Sequence, residues 1–284
     1  MLAALVLAVP AVADTHVAFV DESGQAANQM YVKGGKIRFE SGDHQHVMLY
    51  DVASNSMTMV MADKKEYMVF NEQTASQMGA QMQGAQDQAQ AAMAAHQQEM
   101  SDAQAKMQAA MANMTPEQKA MMQKMMPGGG PPMGPPGGAG GPMSMQLDTK
   151  DLGTSETIAG HKCEDMQMSM NGRPMSTLCV MASLDPLGIP ATDLKTLQAM
   201  KDGMQKIVSK MGPMAQGMTS MMNKGFTIKS QGQRFDPKTM KQVTETNILK
   251  GVTTESLSGD LFQVPAGYTQ TSMDQMMQQH GAHP

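Results

Sequence analysis

The sequence contains no tryptophan, four tyrosines, six phenylalanines and two cysteines among its 284 residues. Leucine, isoleucine, valine and phenylalanine are also scarce and together make up about 14% of the chain, below the roughly 20% under which a highly charged chain is disordered. The net charge is only −5, so the second condition for disorder is not met. The 37 methionines must therefore supply much of the core, a role that their flexible and polarisable side chains can fill.

Basic clusters and catalytic motifs are missing as well. A net charge of −5 and a pI near 5.8 exclude the basic stripe that is typical of nucleic-acid binders. The chain has no G-x-S-x-G, no H-E-x-x-H, no phosphate-binding loop and no Rossmann glycine fingerprint. Its carboxylates form no evident acid/base pair. The sequence predicts a protein that is not an enzyme and that has no catalytic cofactor.

The first 13 residues have the pattern of a secretory signal. An apolar run, Leu2 to Val9, precedes Ala11-Val12-Ala13, the small-x-small pattern that predicts cleavage after Ala13. The usual basic residues before the run are missing, and a short buried helix or strand is the alternative interpretation. No cysteine follows for lipid attachment, and no other segment approaches the roughly 20 apolar residues of a membrane span. We predict an exported protein with no transmembrane segment.

The two cysteines fit an oxidising compartment. Cys163 and Cys179 flank Asn171-Gly172, a strong signal for a two-residue hairpin turn. Such a hairpin places the two cysteines opposite each other, within reach of a disulfide. A metal pair or redox couple would need a C-x-x-C motif or nearby ligands, which are absent. The sequence therefore predicts a structural disulfide.

The chain divides by composition into segments of different structure. Alternating apolar and polar residues predict strands in 14–71 and again in 144–270, and the short connections require antiparallel pairing. A helix with an apolar seam is predicted within the second half, at 192–223. Between the halves, 72–126 is a Met/Gln/Ala-rich helical insertion and 127–143 is a Pro/Gly-rich flexible linker. Residues 271–284 are predicted to be a flexible tail, and the class is α+β.

Methionines recur at intervals of seven in the insertion. Met93, Met100, Met107 and Met114 therefore share one slowly drifting face of a helix. An amphipathic hairpin that packs on itself or on the sheet is the simplest interpretation. The alternatives are an apolar lid over a ligand, since methionine surfaces adapt to varied partners, and sacrificial methionines that are oxidised to sulfoxide.

One group of residues has the chemistry of a soft-metal site. Thioether sulfur suits Cu(I), and imidazole suits copper generally. If the turn at 53–56 pairs Val52 with Met57, one face of the hairpin carries four such side chains, namely His46, Met48, Met59 and Met61. The competing interpretation is methionine in place of leucine in an apolar core. The sequence leaves both open.

Four stretches, in this order, resemble the conserved segments of a bacterial periplasmic family. They are "YVKGGKIR" (31–38), "KKEYMVF" (64–70), "TIAGHKC" (157–163) and "LFQVPAGY" (261–268). They look like segments of a periplasmic domain of unknown function that is related to the outer-membrane lipoprotein carriers. The resemblance covers roughly 28–70 and 145–270. It implies an incompletely closed antiparallel β-barrel, covered by helices, whose cavity receives acyl chains in the carriers.

These observations together predict a function. The leading interpretation is a periplasmic, non-catalytic binding protein for an apolar ligand or a lipoprotein or lipid. The alternative is an envelope protein that binds Cu(I) or scavenges oxidants with its methionines.

Overall fold

The computed structural model describes residues 13–112, 115, 147–211, 219–220, 223–236, 241–272 and 275. Residues 1–12 of the predicted signal sequence 1–13, the predicted linker 127–143 and nearly all of the predicted tail 271–284 lie outside these residues. Within the described part, no helix has the length and apolar character needed to cross a membrane.

Twelve strands of the described chain form a single sheet. In chain order they are β1 (Asp14–Val20), β2 (Ala26–Lys33), β3 (Lys36–Glu40), β4 (His46–Asp51), β5 (Ser56–Met61), β6 (Glu66–Phe70), β7 (Leu147–Ile158), β8 (His161–Met170), β9 (Arg173–Met181), β10 (Phe226–Asp236), β11 (Lys241–Glu255) and β12 (Thr269–Gln270). Their order across the sheet is β12-β6-β5-β4-β3-β2-β1-β11-β10-β9-β8-β7.

The sheet is assembled from two antiparallel meanders. Strands β1 to β6 pair in sequence, as do β7 to β11. The pairing of β1 with β11 joins the halves, and β12 adds to β6 in parallel. The predicted α+β class with antiparallel pairing is confirmed. The sheet is not closed, because β7 and β12 occupy its two edges.

The described residues include two long α-helices: α1 (Glu72–Ala112) and α2 (Ala191–Ser209). Asn71 is the N-cap residue of α1: its Oδ1 accepts hydrogen bonds from the backbone N–H groups of Gln73 and Thr74, each at 3.0 Å. The predicted helix 192–223 is described continuously only as α2. The chain divides into two compact units, Met1–Gly79 with Met145–Pro284, and Ala80–Ser144.

The main core lies on the sheet face that packs against α2, here called the inner face. Val17, Met30, Ile37 and Ile228 are fully buried there and pack in one cluster with Leu197 of α2. Alternation of side chains along each strand selects these residues. This cluster also contains the disulfide described next.

Cys163 and Cys179 form a disulfide, with their Cα atoms 5.3 Å apart, so the predicted bridge is confirmed. The hairpin turns at Asn171-Gly172, where both residues have positive φ, as the sequence predicts. The cysteines are diagonal neighbours rather than directly opposed, because Asp165 pairs with Cys179. A bulge after Met168 shifts the register.

The opposite, outer face is covered by the C-terminal segment of the described chain. Val47, Leu49 and Val60 pack there against Val264 and Tyr268. This packing explains why β4 is buried on both faces. Apolar side chains of the segment "LFQVPAGY" (261–268) therefore cover part of the outer face.

Arg38 of β3, which forms a partly buried ion pair with Glu40, also holds the same segment. Arg38 Nε donates to Glu40 Oε2 at 2.8 Å, and Arg38 Nη1 donates to the carbonyl oxygen of Leu261 at 2.9 Å. Arg38 lies in "YVKGGKIR" and Leu261 in "LFQVPAGY". This hydrogen bond therefore joins two of the four stretches that carry the family resemblance.

The Glu40 carboxylate makes stability depend on pH. Burial raises the pKa of Glu40, but the hydrogen bonds from Arg38 and His44 outweigh burial and lower the pKa below its ordinary 4.5. Stability from this ionised group is fully present above pH 4.5 and is lost as pH falls through the lowered pKa. Glu40→Gln should cost about 1 to 3 kcal/mol at pH 7, and its difference from wild type should shrink below pH 4.5.

Urea unfolding at several pH values between 3 and 7 measures this effect. The matched control is Glu99→Gln, because the Glu99 side chain is 82% exposed. An unfolding free energy for Glu40→Gln that parallels wild type across the whole pH range would contradict the assignment.

Candidate functional site

The inner face and α2 line an apolar cavity of about 510 Å³ that is open to solvent. Its floor is Met30 of β2 and Phe39 of β3. The roof is α2, and the walls come from the turn after β9 and from the start of β10. The lining residues of the roof and walls are Leu184, Leu194, Leu197, Met200, Met204 and Phe226. All of these residues belong to the first compact unit. A volume of roughly 300–1,000 Å³ with a mostly apolar lining is typical of small-molecule sites.

A few polar groups border this cavity. Lys195 and Lys201 contribute from α2, the first exposed and the second half-buried. Asp185 also lines the cavity and accepts a hydrogen bond from Ser183 Oγ at 2.7 Å. The boundary of the apolar cavity therefore carries two cations and one carboxylate, an arrangement that suits a ligand with an apolar body and an anionic end.

The first turn of α2 is fastened to the sheet by a buried hydrogen bond. Thr15 Oγ1 donates to Asp193 Oδ2 at 2.6 Å, and both residues are buried. Burial raises the pKa of Asp193, and the nearby Asp14 carboxylate acts in the same direction, whereas the bond from Thr15 opposes it. This contact fixes the cavity roof at its N-terminal end.

The middle of α2 approaches the β4–β5 turn very closely at Gly203. A Cβ atom at this position would fall well inside contact distance of Tyr50 Oη and Asn55 Oδ1. Those two atoms are hydrogen-bonded to each other at 2.5 Å, and Asn55 Nδ2 donates onward to Glu72 at 3.1 Å. Glycine at 203 therefore allows α2 to pack closely against the sheet, and this close packing limits the distance between helix and sheet at the cavity.

A second feature of the inner face is a run of methionines across β4, β5 and β6. Met48 pairs with Met59, and Met59 pairs with Met68, so the three form one row across neighbouring strands. The next row is His46, Met61 and Glu66. The register thus places all four residues of the predicted soft-metal group on one face and adds Met68 and Glu66.

The predicted pairing within that group is wrong by two positions. The structure pairs Asp51 with Ser56, not Val52 with Met57. The reason is the turn itself: Asp51 Oδ1 accepts hydrogen bonds from the N–H groups of Ala53 and Ser54, and Asn55 takes a positive φ of 46°. A shift of two keeps each side chain on its face, whereas a shift of one would reverse it.

The side chains of the two methionine rows differ in their exposure to solvent. Met61 and Met68 are each 6% exposed, Met48 and Met59 are half-buried, and His46 is exposed. His46 also lines a separate, more polar cavity of about 430 Å³ with Asp43 and Asn247. Within the described residues, no cluster of three or more His, Cys, Asp or Glu side chains has the arrangement of a metal site. A soft-metal site here would therefore depend on thioethers.

The predicted apolar lid lies on α1. Met93 and Met100 are 47% and 51% exposed, so both sulfur-bearing side chains are accessible to solvent. Met107 is also within α1, and Met114 lies outside the described residues. The lid role stays a prediction.

Sequence reasoning did not find the cavity. The seam of α2, which includes Leu197, Met200 and Met204, indicated a helix in need of a partner surface. No signal linked that seam to Met30 or Phe39, because the pairing of β1 with β11 brings distant segments together. Met68 was detectable in principle, since it alternates with Tyr67 and Val69 in β6.

One known protein family matches part of the chain. Residues 141–268 match a family described as "Domain of unknown function (DUF4412)". The predicted resemblance to a domain of unknown function is confirmed over this range, whereas the relation to lipoprotein carriers stays a prediction. No curated protein matches the sequence. The matched range includes both cysteines, α2 and Phe226, while the cavity floor and the methionine rows lie before it.

Proposed function

We propose that this protein is a non-catalytic, periplasmic binding protein for an apolar ligand, such as the acyl chain of a lipid or lipoprotein. The cavity beneath α2 is the observation that carries the proposal. Its volume suits a small molecule, and its floor and walls are apolar. The open antiparallel sheet with a covering helix is consistent with the resemblance to lipoprotein carriers.

The methionines in this cavity support a tolerant rather than a selective site. Met30, Met200 and Met204 line it, and unbranched thioether side chains adjust their rotamers to ligands of different shape. Lys195 and Lys201 at the boundary favour an anionic end group. A fatty acid should therefore bind more tightly than the corresponding alcohol.

The test introduces a charge into the cavity. Met200→Glu should weaken the binding of a fluorescent probe, 1-anilinonaphthalene-8-sulfonate, and of a displacing fatty acid by at least about tenfold. A ligand in the cavity would cover the new carboxylate, and removing a charge from water without a partner costs several kcal/mol. Met200 is half-buried, so the variant can fold with its new carboxylate near the boundary.

The matched control is Met93→Glu, the same substitution at a half-exposed position of α1. Fluorescence titration and displacement should show wild-type affinity for this control. Equal affinities for all three proteins would place the probe elsewhere and contradict the proposal. Circular dichroism of each variant establishes that the fold is intact.

A further inference from the structure

We propose that the inner face of β4, β5 and β6 holds one Cu(I) ion, bound by thioethers of the methionine rows. The site is separate from the apolar cavity and does not depend on the function proposed above. Its ligand set consists of Met48, Met59 and Met68, with Met61 and His46 in the adjacent row.

The strand register brings these sulfurs together. Directly opposed residues in an antiparallel pair have Cβ atoms about 4.5–5.5 Å apart. Met59 lies between two such neighbours, Met48 on one side and Met68 on the other. Each methionine has three rotatable side-chain bonds, so three sulfurs on adjacent strands can converge on one ion. Met61, two residues along β5, lies about 7 Å away along the same face.

The chemistry of the donors selects the ion. Thioethers are soft and neutral, and such ligands favour Cu(I) over hard cations, which require oxygen ligands. His46 adds an imidazole, which suits copper in either oxidation state. The described residues offer no competing cluster of three or more His, Cys, Asp or Glu side chains that would favour zinc.

Burial and charge are consistent with a bound monovalent cation. Met61 and Met68 are nearly fully buried, which places a bound ion at the edge of the apolar interior. Glu66 pairs with Met61 and is half-buried in the second row, so its carboxylate can offset the single positive charge. His46, exposed and lining the polar cavity of about 430 Å³, provides an entry path.

An apolar core is the competing explanation for the same methionines, and Met57 separates the two. Met57 lies on the same strand and face but pairs with Tyr50 and Phe70 and packs in the main core. If the methionines are purely structural, Met57→Leu and Met59→Leu should have the same effect on Cu(I) affinity. If the rows hold Cu(I), Met59→Leu should lower the affinity and Met57→Leu should not.

The experiment titrates the full chain with Cu(I), without oxygen, in competition with the colorimetric chelator bicinchoninate. Wild type should bind one equivalent tightly. Met59→Leu should weaken this binding at least about tenfold, since even the residues that only support metal ligands commonly account for 10- to 100-fold in affinity. Met57→Leu should leave it unchanged. X-ray absorption of the wild-type complex should show sulfur ligands, with at most one nitrogen.

Two further variants define the outcomes. Glu66→Gln should weaken binding while sulfur ligation persists. A Met93→Leu/Met100→Leu variant should bind as wild type does. Wild-type affinity in Met59→Leu, or loss of binding in the Met93/Met100 variant alone, would overturn the proposal. Because methionine and leucine have similar volumes, Met59→Leu should retain the fold, and thermal unfolding without metal checks this.

Discussion

Gly203→Ala should loosen the packing of α2 on the sheet and lower the free energy of unfolding by about 1 to 3 kcal/mol. The added methyl group overpacks a close contact, which typically costs 1–3 kcal/mol. It also forces apart the hydrogen bond between Tyr50 and Asn55, at roughly 1 kcal/mol, whereas alanine gains up to about 1 kcal/mol of helix propensity over glycine. Since α2 is the roof of the cavity, affinity for an apolar probe should fall together with stability.

Urea unfolding and probe titration of the same preparation measure both effects. Gly84→Ala is the matched control, because Gly84 is also helical and a Cβ there would meet nothing within 4 Å. The control should be unchanged or more stable by up to about 1 kcal/mol. Adding Tyr50→Phe and Asn55→Gly to Gly203→Ala removes the two contacting groups and should restore part of the loss, since glycine accepts the positive φ of residue 55. Wild-type stability in Gly203→Ala would refute the close approach of helix and sheet.

Loss of the disulfide should have a comparable effect. A bridge that closes a loop of this size stabilises by about 3 kcal/mol in the chain-entropy model. Cys163 and Cys179 are each 2% exposed and pack in the main core beside Ile228. Cys163→Ala/Cys179→Ala should therefore lower the unfolding free energy by about that amount. The serine pair should lose a further 1 to 3 kcal/mol, because its hydroxyls are buried.

Denaturant unfolding with and without a reducing agent tests this prediction. Wild type should lose stability on reduction, whereas the alanine pair should be insensitive to the reducing agent and serves as its control. Equal unfolding midpoints for wild type and the alanine pair, with equal denaturant dependence, would show that the bridge contributes nothing.

The sequence predicts the parts of this fold that depend on neighbouring residues. Asn171-Gly172 specifies its hairpin because both residues accept positive φ. Alternation in β4 predicts that Met48 and Tyr50 share a face. The start of α2 near residue 192 follows from its apolar spacing and is observed at Ala191. Each of these features is encoded within about 20 residues.

The exact strand registers and the features that depend on distant segments were not predicted. The register of β4 and β5 depends on how Asp51 caps the turn, a detail that alternation does not encode. The cavity needs Met30 of the first meander and Phe226 of the second, which meet only because β1 pairs with β11. The bulge after Met168 makes the disulfide diagonal, and no residue type signals it in advance.

The cavity and the methionine rows share one face and differ in chemistry. Met30 and Phe39 belong to the same cross-strand row as Met48, Met59 and Met68. Near α2, leucine and phenylalanine side chains lie beside this row and form the apolar cavity with it. On β4 to β6, the adjacent row is His46, Met61 and Glu66, which adds nitrogen, sulfur and carboxylate donors. One inner face can therefore serve an apolar ligand at one end and a soft metal at the other.

The most direct test of apolar-ligand binding is photo-crosslinking with a fatty acid that carries a diazirine near the end of its chain. The protein is incubated with this probe, irradiated and digested, and the labelled peptides are identified by mass spectrometry. We expect labels on the cavity lining, within residues 182–185 and 194–204 and at Phe226, and we expect an excess of unlabelled fatty acid to suppress them. Labels confined to the exposed methionine face of α1, or labels that excess fatty acid does not suppress, would contradict the account.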